Sequence, residues 1–190
     1  DIQANFSDIS APTLYSYLNI LNRLYVIEDI PAWNPSIRSA SAIRSGDKKE
    51  FTDPSIAVAA LNLSPEKLLL DLHTFGFIFE TLCIRDLKVY SNKFDGRVSY
   101  YHDRYGLEAD CVLHLENDKY ALIEFKLGSR GIEEGAKHLC ELRDLIRKHN
   151  TEMPQQHLRE PDLLIVITGG ELAYRRNDGV CIIPIGCLKD

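Results

Sequence analysis

Two charged residues interrupt the apolar run "YALIEFKLGS" at residues 120 to 129. Glu124 and Lys126 are two positions apart, and a β-strand points alternate side chains to the same face. A carboxylate and an ammonium on one face can hold a cation and balance the charge of a phosphate, so this strand is a candidate for phosphodiester chemistry. The same spacing at 47–49 and 86–88 lies in a polar turn and on a predicted helix, where positions two apart do not face each other.

Two further carboxylates are predicted to reach this strand face. Asp110 lies in the neighbouring run "EADCV", and Glu80 ends the helical segment "GFIFE". Divalent cations such as Mg²⁺ prefer oxygen ligands and commonly use one or two carboxylates plus a substrate phosphate. Such a cation polarises a phosphodiester and lowers the pKa of a bound water, while a lysine can orient the hydroxide. The pattern therefore predicts Mg²⁺- or Mn²⁺-dependent hydrolysis of a phosphodiester.

The length of the loop between the two strands decides whether this site assembles. A two-residue turn at 117–118 would pair residues whose numbers sum to an odd value and would place Cys111 on the face of Glu124. A loop of odd length instead pairs Asp110 with Glu124 or with Lys126 and brings the three polar side chains to one face. We therefore predict a three-residue loop or a bulge at this position.

The first 60 residues predict a small winged-helix-like unit. Residues 10–25 have Ser10 as a helix N-cap and Pro12 in the first turn. Apolar residues then recur at helical spacing, at Leu14, Leu18, Leu21 and Tyr25. A short strand, "VIEDI", follows, and later "KKEFTDPSIA" is predicted as a second strand and a turn. In this interpretation residues 1–9 hold only the tail of a preceding helix or its turn, so the unit is incomplete at its N-terminus.

Residues 61–190 predict an α/β domain. A long helical region over 65–91, broken near Gly76, precedes three short strands, a helix over 132–149 and a strand at "DLLIVIT". One face of the second helix is apolar, at Ile132, Ala136, Leu139, Leu142 and Ile146. A strand, crossover helix and strand in succession predict parallel pairing of the runs at 120 and 163. "GVCIIPIG" is predicted as the final strand, with Pro184 suited to a sheet edge.

Composition excludes several classes of function. The net charge of -6 argues against nucleic-acid binding by overall charge, and neither a GxxxxGK[ST] nor a GxGxxG motif is present. No apolar run is long enough for a membrane span, and the first residues lack the pattern of a signal peptide, so the expected location is the cytoplasm, away from membranes. The five cysteines form no CxxC pair and are expected to be reduced thiols.

The three motifs together resemble a known group of enzymes. Glu80 in "GFIFE", Asp110 in "EADCV" and "IEFK" at 123–126 look like the motifs of the PD-(D/E)XK nuclease superfamily, on its core of helix, three strands, helix and strand. This resemblance implies a restriction-endonuclease-like core in which Asp110 and Glu124 are metal ligands, Lys126 is the catalytic lysine and Glu80 is a supporting carboxylate. Ala109 stands where the motif has proline.

The order of segments along nearly the whole chain resembles a narrower group. "APTLYSYLNILNRLYVIEDIPAW", "KKEFTDPSIA", "GFIFETLCIRDL" and "IEFKLG" are similar to the uncharacterised nuclease-like region at the C-terminus of prokaryotic AAA-type ATPases. This resemblance implies an ATPase module as a partner on the N-terminal side. Related nucleases add a Gln or Lys from the second helix, for which Lys137 is the nearest candidate.

DNA or RNA is predicted to contact the first helix and a residue beside the site. The polar residues outside the apolar stripe of the first helix could touch DNA, and Lys137 joins them as a candidate. These helix residues are Thr13, Ser16, Asn19 and Arg23. The alternative is that the unit packs between the ATPase and the nuclease-like part, and an oligomer is compatible with either.

Each site residue also has a plain structural interpretation. Glu124 and Lys126 could form a cross-strand ion pair on a solvent-facing strand, Asp110 a structural salt bridge to Lys126, and Glu80 a solvated helix position. These interpretations predict a catalytically inactive domain that binds DNA or docks the ATPase, or a purely structural domain that binds neither metal nor nucleic acid.

Overall fold

The computed structural model describes residues 9–35, 37 and 46–189. The predicted helix remnant in residues 1–9 lies, apart from Ile9, outside this range. Helix α1 spans Ala11–Arg23, and the Ser10 hydroxyl accepts the Thr13 N–H at 3.4 Å, which confirms the predicted N-cap. No side chain of α1 is fully buried. Tyr25, predicted as part of the apolar stripe, lies beyond the helix with φ 57° and is 81% exposed.

Two short strands and a helix follow α1. Strand β1 (Ile27–Ile30) pairs antiparallel with β2 (Lys48–Phe51), with Ile27 opposite Phe51. Helix α2 (Pro54–Ala60) comes next. Both strands were predicted, but the turn expected within "KKEFTDPSIA" is the start of helix α2. The assignment of this unit as a winged helix stays a prediction.

The predicted long helix is divided at a different residue from the one expected. Helix α3 spans Pro65–Leu70 and helix α4 spans Leu72–Ser91. The break is at Asp71, whose carboxylate accepts the Thr74 N–H at 3.1 Å and so caps α4. Gly76 lies inside α4, so the expected break there is wrong.

Asp53 caps α2 and links it to α4. Its carboxylate accepts the Ser55 N–H at 2.8 Å and lies 2.8 Å from the Arg85 guanidinium. Hydrogen bonding from Ser55, assisted by Arg85, lowers the pKa of Asp53 to about 2. The charged carboxylate therefore stabilises the folded state.

Replacing Asp53 by Ala is expected to lower the free energy of unfolding by about 1 kcal/mol at pH 7, the usual cost of losing an N-cap. The folded-state pKa lies below the unfolded value of about 3.9, so this contribution is present above that pH and is lost as the pH falls toward about 2. Urea unfolding of both proteins between pH 7 and pH 2 measures the difference. Asp53→Asn keeps a capping side chain and should lose less, and a pH-independent difference would contradict the assignment.

The C-terminal part is built on a six-stranded mixed sheet. Its strands, in spatial order, are β3 (Arg97–His102), β4 (Glu108–His114), β5 (Tyr120–Lys126), β6 (Leu163–Thr168), β8 (Cys181–Pro184) and β7 (Tyr174–Arg175). Strands β3, β4 and β5 form an antiparallel meander, and β5, β6 and β8 run parallel. The parallel pairing of β5 with β6 confirms the prediction from the crossover helix.

The outer edge of the sheet differs from the prediction. Strand β8 is not an edge strand, because the two-residue strand β7 pairs with Cys181 and Ile182. Pro184 lies beyond the residues that β7 pairs, so its missing N–H costs no hydrogen bond on that side.

Helices cover both faces of the sheet. Helix α5 (Ile132–Glu152) packs on one face with the five predicted apolar residues all buried, and α4 packs on the other through Phe79, Cys83 and Ile84. Strand β5 is central and buried along almost its whole length. Among the described residues, no helix combines the length and apolar character needed to cross a bilayer. The fold is a mixed α/β architecture.

Candidate functional site

The hairpin between β4 and β5 brings Asp110 beside Glu124. Cys111 pairs with Ile123, and the Leu115 N–H donates to the Lys119 carbonyl at 2.8 Å, which leaves a loop of three residues. The predicted odd-length loop is therefore confirmed. Continuing the same register places Asp110 opposite Glu124.

A β-bulge sits at Asp110. Ser99 pairs with Val112 and Tyr101 pairs with Ala109, so two residues of β4, Asp110 and Cys111, face a single residue of β3. Such bulges redirect side chains and are common beside active sites. Here the Asp110 carboxylate crosses to β5, where its Oδ2 accepts the Phe125 N–H at 2.7 Å.

Glu124 is the most deeply buried of the predicted site residues. It is 0% exposed, with Oε2 at 2.9 Å from Lys126 Nζ and Oε1 at 3.4 Å from His138 Nδ1. Oε2 has no hydrogen-bond partner of regular geometry in the described part of the chain, so the Lys126 ammonium is its electrostatic partner. The interpretation of Glu124 as part of a solvent-facing ion pair is therefore wrong.

The electrostatics of the cluster disfavour the charged form of Asp110. Burial, reinforced by the charges of Glu124 and Glu80, raises the pKa of Asp110 well above its ordinary value, although the Phe125 N–H and Lys126 act in the opposite direction. Burial would lower the pKa of Lys126, but the negative charges of Glu124 and Asp110 outweigh burial and raise that pKa. Lys126 therefore stays an ammonium.

Glu80, predicted to reach the cluster from α4, has a cationic partner in Lys48, and its charge acts on Asp110. Lys48 of β2 pairs with Glu80 and also lies 3.2 Å from Glu50. Burial raises the pKa of Glu80 despite Lys48. Glu80 is thus not a solvated helix position. Sequence reasoning missed Lys48 because it lies 32 residues before Glu80 in the chain and no pattern links the two.

Two further side chains that could ligate a metal, Glu108 and His138, were also missed. Donor atoms of Glu108, Glu124 and His138 all lie within 4.8 Å of one another, a separation that could hold a metal ion. Asp110, the other predicted ligand, is not in this group. A signal existed in the sequence: Gly131, which is the N-cap of α5, is followed at helical spacing by Gly135 and His138, so a polar group follows two positions without side chains.

Gly131 and Gly135 make room for the charged pair. A Cβ at Gly131 would lie 3.0 Å from Lys126 Cδ, and one at Gly135 would lie 3.1 Å from Lys126 Cε and 3.3 Å from Glu124 Cβ. Helix α5 can therefore approach β5 closely enough for Lys126 to fold back over Glu124.

This close approach predicts different outcomes for two helical glycines. Gly76→Ala, where an added Cβ meets nothing within 4 Å, should raise the free energy of unfolding by about 0.5 to 1 kcal/mol. Gly135→Ala should gain less than this or lose stability, because its Cβ must displace Lys126 and Glu124. Chemical denaturation of the two variants beside wild type tests this, and an equal gain at both positions would contradict the proposed packing.

A cleft of about 460 Å³ opens at the cluster. Its walls include Lys48, His102, Glu108 and Asp110. His102 Nδ1 lies 3.9 Å from Glu108 Oε2. The volume falls within the range of small-molecule sites, so a nucleotide-sized group could reach the carboxylates from this side.

The five predicted nucleic-acid contacts lie on exposed helix surfaces. Four of them are on α1, namely Thr13, Ser16, Asn19 and Arg23. The Thr13 hydroxyl is 2.8 Å from that of Ser10 at the start of the helix. Lys137 faces solvent on α5 and lies 3.7 Å from Glu141. The residue of α5 that reaches the cluster is His138.

The fold and site together define a mixed α/β domain with an acidic, lysine-containing cluster at the centre of its sheet. The chain belongs to the family described as Domain of unknown function (DUF4143), whose model matches residues 75–188. This domain is found in AAA-ATPase-associated proteins, which agrees with the predicted relationship to AAA-type ATPases. A second family model, Domain of unknown function (DUF8612), matches residues 2–67. A search of curated proteins and a search of solved structures each returned no match.

Proposed function

We propose that this protein is a metal-dependent phosphodiesterase acting on nucleic acid, with Asp110, Glu124 and Lys126 at its centre. The observation that carries the proposal is Glu124, a fully buried carboxylate held between Lys126 and His138, with Asp110 opposite it on the next strand. Burying a carboxylate is costly unless opposite charge compensates it. A buried carboxylate such as Glu124 next to other carboxylates is typical of a functional site, and here it favours one that binds a cation.

The donor set fits a hard divalent cation. Carboxylates outnumber the lysines at the cluster, with Glu80, Glu108, Asp110 and Glu124 against Lys48 and Lys126. The buried Oε2 of Glu124 also lacks a regular hydrogen-bond partner within the described residues. Mg²⁺ or Mn²⁺ held by Asp110 and Glu124 would supply Lewis-acid polarisation of the phosphodiester and a more acidic bound water.

The protein side chains then have separate tasks. Lys126, which stays charged, orients the attacking water or offsets the negative charge that develops on the phosphate. Phe125 fixes Asp110 through its backbone N–H. Lys48 neutralises Glu80 at the wall of the cleft, so an anionic backbone can approach. DNA or RNA enters from the cleft side, and α1 is the candidate for further contacts.

A substrate panel tests the proposal. The wild-type protein should cut at least one of single-stranded, duplex or branched DNA, or RNA, when Mg²⁺ or Mn²⁺ is present, and EDTA should stop the reaction. Asp110→Ala should abolish both cutting and the heat of Mn²⁺ binding in calorimetry. Binding of nucleic acid without cutting, under every metal, would contradict the enzymatic proposal.

A second candidate function is docking onto an AAA-type ATPase module. The supporting observation is apolar exposure within the first 70 residues: Tyr15 is 68%, Leu24 65%, Tyr25 81% and Leu70 89% exposed. Exposed apolar side chains mark a protein interface where they are contiguous, as Leu24 and Tyr25 are in the chain. This function predicts that Leu24→Ser and Leu70→Ser weaken binding to the ATPase module without changing the unfolding midpoint.

A further inference from the structure

Three donors from three separate elements converge beside the buried carboxylate. Glu108 comes from β4, Glu124 from β5 and His138 from α5, and their donor atoms lie within 4.8 Å of one another. Ligands of a six-coordinate cation at about 2.1 Å are roughly 3 to 4 Å apart, so small side-chain movements would bring all three onto one ion. Glu124 lies at the buried end of this group, and the half-buried Glu108 and His138 lie at its solvent-accessible end.

Glu124 divides its two oxygens between different partners. Oε2 lies 2.9 Å from Lys126 Nζ, and Oε1 lies 3.4 Å from His138 Nδ1. The second distance is long for a hydrogen bond, so the imidazole does not satisfy this oxygen fully. Glu124 Oε1 and His138 Nδ1 face each other at this separation and could both ligate one cation between them.

We infer that Glu108, Glu124 and His138 form a site selective for a first-row transition cation such as Mn²⁺ over Mg²⁺. Mg²⁺ requires oxygen ligands in near-ideal octahedral geometry, whereas imidazole favours transition metals. The inference rests on the proposed function for its link to cleavage and adds two ligands and a metal preference to that site. Asp110, a ligand in the proposed function, is not among the three donors within 4.8 Å of one another, and it would join them on the ion by a movement of its side chain.

Electron paramagnetic resonance of Mn²⁺ tests the site without any substrate. Wild-type protein should remove the signal of free Mn²⁺ with one ion bound per chain, and Mg²⁺ should displace that ion only when present in at least tenfold excess. His138→Ala should weaken Mn²⁺ binding at least tenfold. The control is His149→Ala, at the other end of α5, which should bind like wild type.

A second variant, which replaces the nitrogen ligand of His138 by oxygen, distinguishes loss of the ligand from misfolding. His138→Asp offers oxygen in place of nitrogen, so it should still bind a divalent cation while its preference for Mn²⁺ over Mg²⁺ falls at least fivefold. Unchanged Mn²⁺ binding in His138→Ala, equal competition by Mg²⁺ in wild type, or no Mn²⁺ binding at all would each overturn the inference. Mn²⁺ binding without cleavage would instead contradict the proposed function and leave this site standing.

Discussion

Replacing Lys126 by Met is expected to lower the free energy of unfolding by about 2 to 4 kcal/mol, because it removes the main counter-charge of a buried carboxylate. Glu124 is 0% exposed, and Lys126 Nζ lies 2.9 Å from its Oε2. Met keeps the unbranched stem that packs against Gly131 and Gly135, so the loss reports on charge more than on volume. Urea unfolding at pH 7 with EDTA present measures the difference.

A double variant separates charge from packing in this experiment. Glu124→Gln combined with Lys126→Met removes both charges, so it should recover at least half of the stability lost in Lys126→Met alone. Lys148→Met, at an exposed ion pair with Glu152 on α5, should change stability by less than about 0.5 kcal/mol. A Lys126→Met variant as stable as Lys148→Met would show that the buried pair contributes little.

Replacing Asp110 by Asn is expected to reduce cleavage at least about 100-fold, the scale seen when a group that stabilises developing charge is removed. The same change should raise the stability of the metal-free protein by about 0.5 to 1 kcal/mol, as often follows when a functional residue is replaced. Burial and the charges of Glu124 and Glu80 disfavour the Asp110 carboxylate, and the Asn carbonyl can still accept the Phe125 N–H. Single-turnover cleavage and urea unfolding in EDTA measure the two effects.

The matched control lies at the other end of β5. Asp162 Oδ2 accepts the Tyr120 N–H at 3.1 Å, and Asp162 pairs with Arg159 at 2.8 Å. Arg159 lowers the pKa of Asp162, so its charge stabilises the fold. Asp162→Asn should therefore lower stability slightly and leave cleavage unchanged. If Asp110→Asn behaved like Asp162→Asn, the carboxylate at 110 would be structural.

The elements predicted best are those whose patterns are local and long. The buried face of α5 follows from its apolar spacing, and the parallel pairing of β5 with β6 follows from the crossover between them. Strand β7 has only two residues, too few for any period. The long helix breaks at Asp71 because the Asp71 carboxylate caps the start of α4. Gly76 has no capping side chain and is accommodated inside α4.

Only the part of the site that depends on local sequence patterns was predicted. The spacing of Glu124 and Lys126 fixes their common face, and the parity of the hairpin loop places Asp110 opposite them. Lys48 and His138 reach the cluster through contacts between distant elements, which no local period encodes. Glu108 stands two positions before Asp110, but the bulge at Asp110 and Cys111 interrupts the strand period. The catalytic and metal-binding roles themselves stay predictions.

The rate of metal-dependent cleavage in wild type and Lys126→Met tests the central claim most directly. With saturating Mn²⁺ and the best substrate of the panel, wild type and Lys148→Met should form product at the same rate, and EDTA should stop both. Lys126→Met, assayed at a temperature where it is folded, should be at least about 100-fold slower. Equal rates in Lys126→Met and wild type, or no product from wild type with any nucleic acid and metal, would contradict a phosphodiesterase centred on Asp110, Glu124 and Lys126.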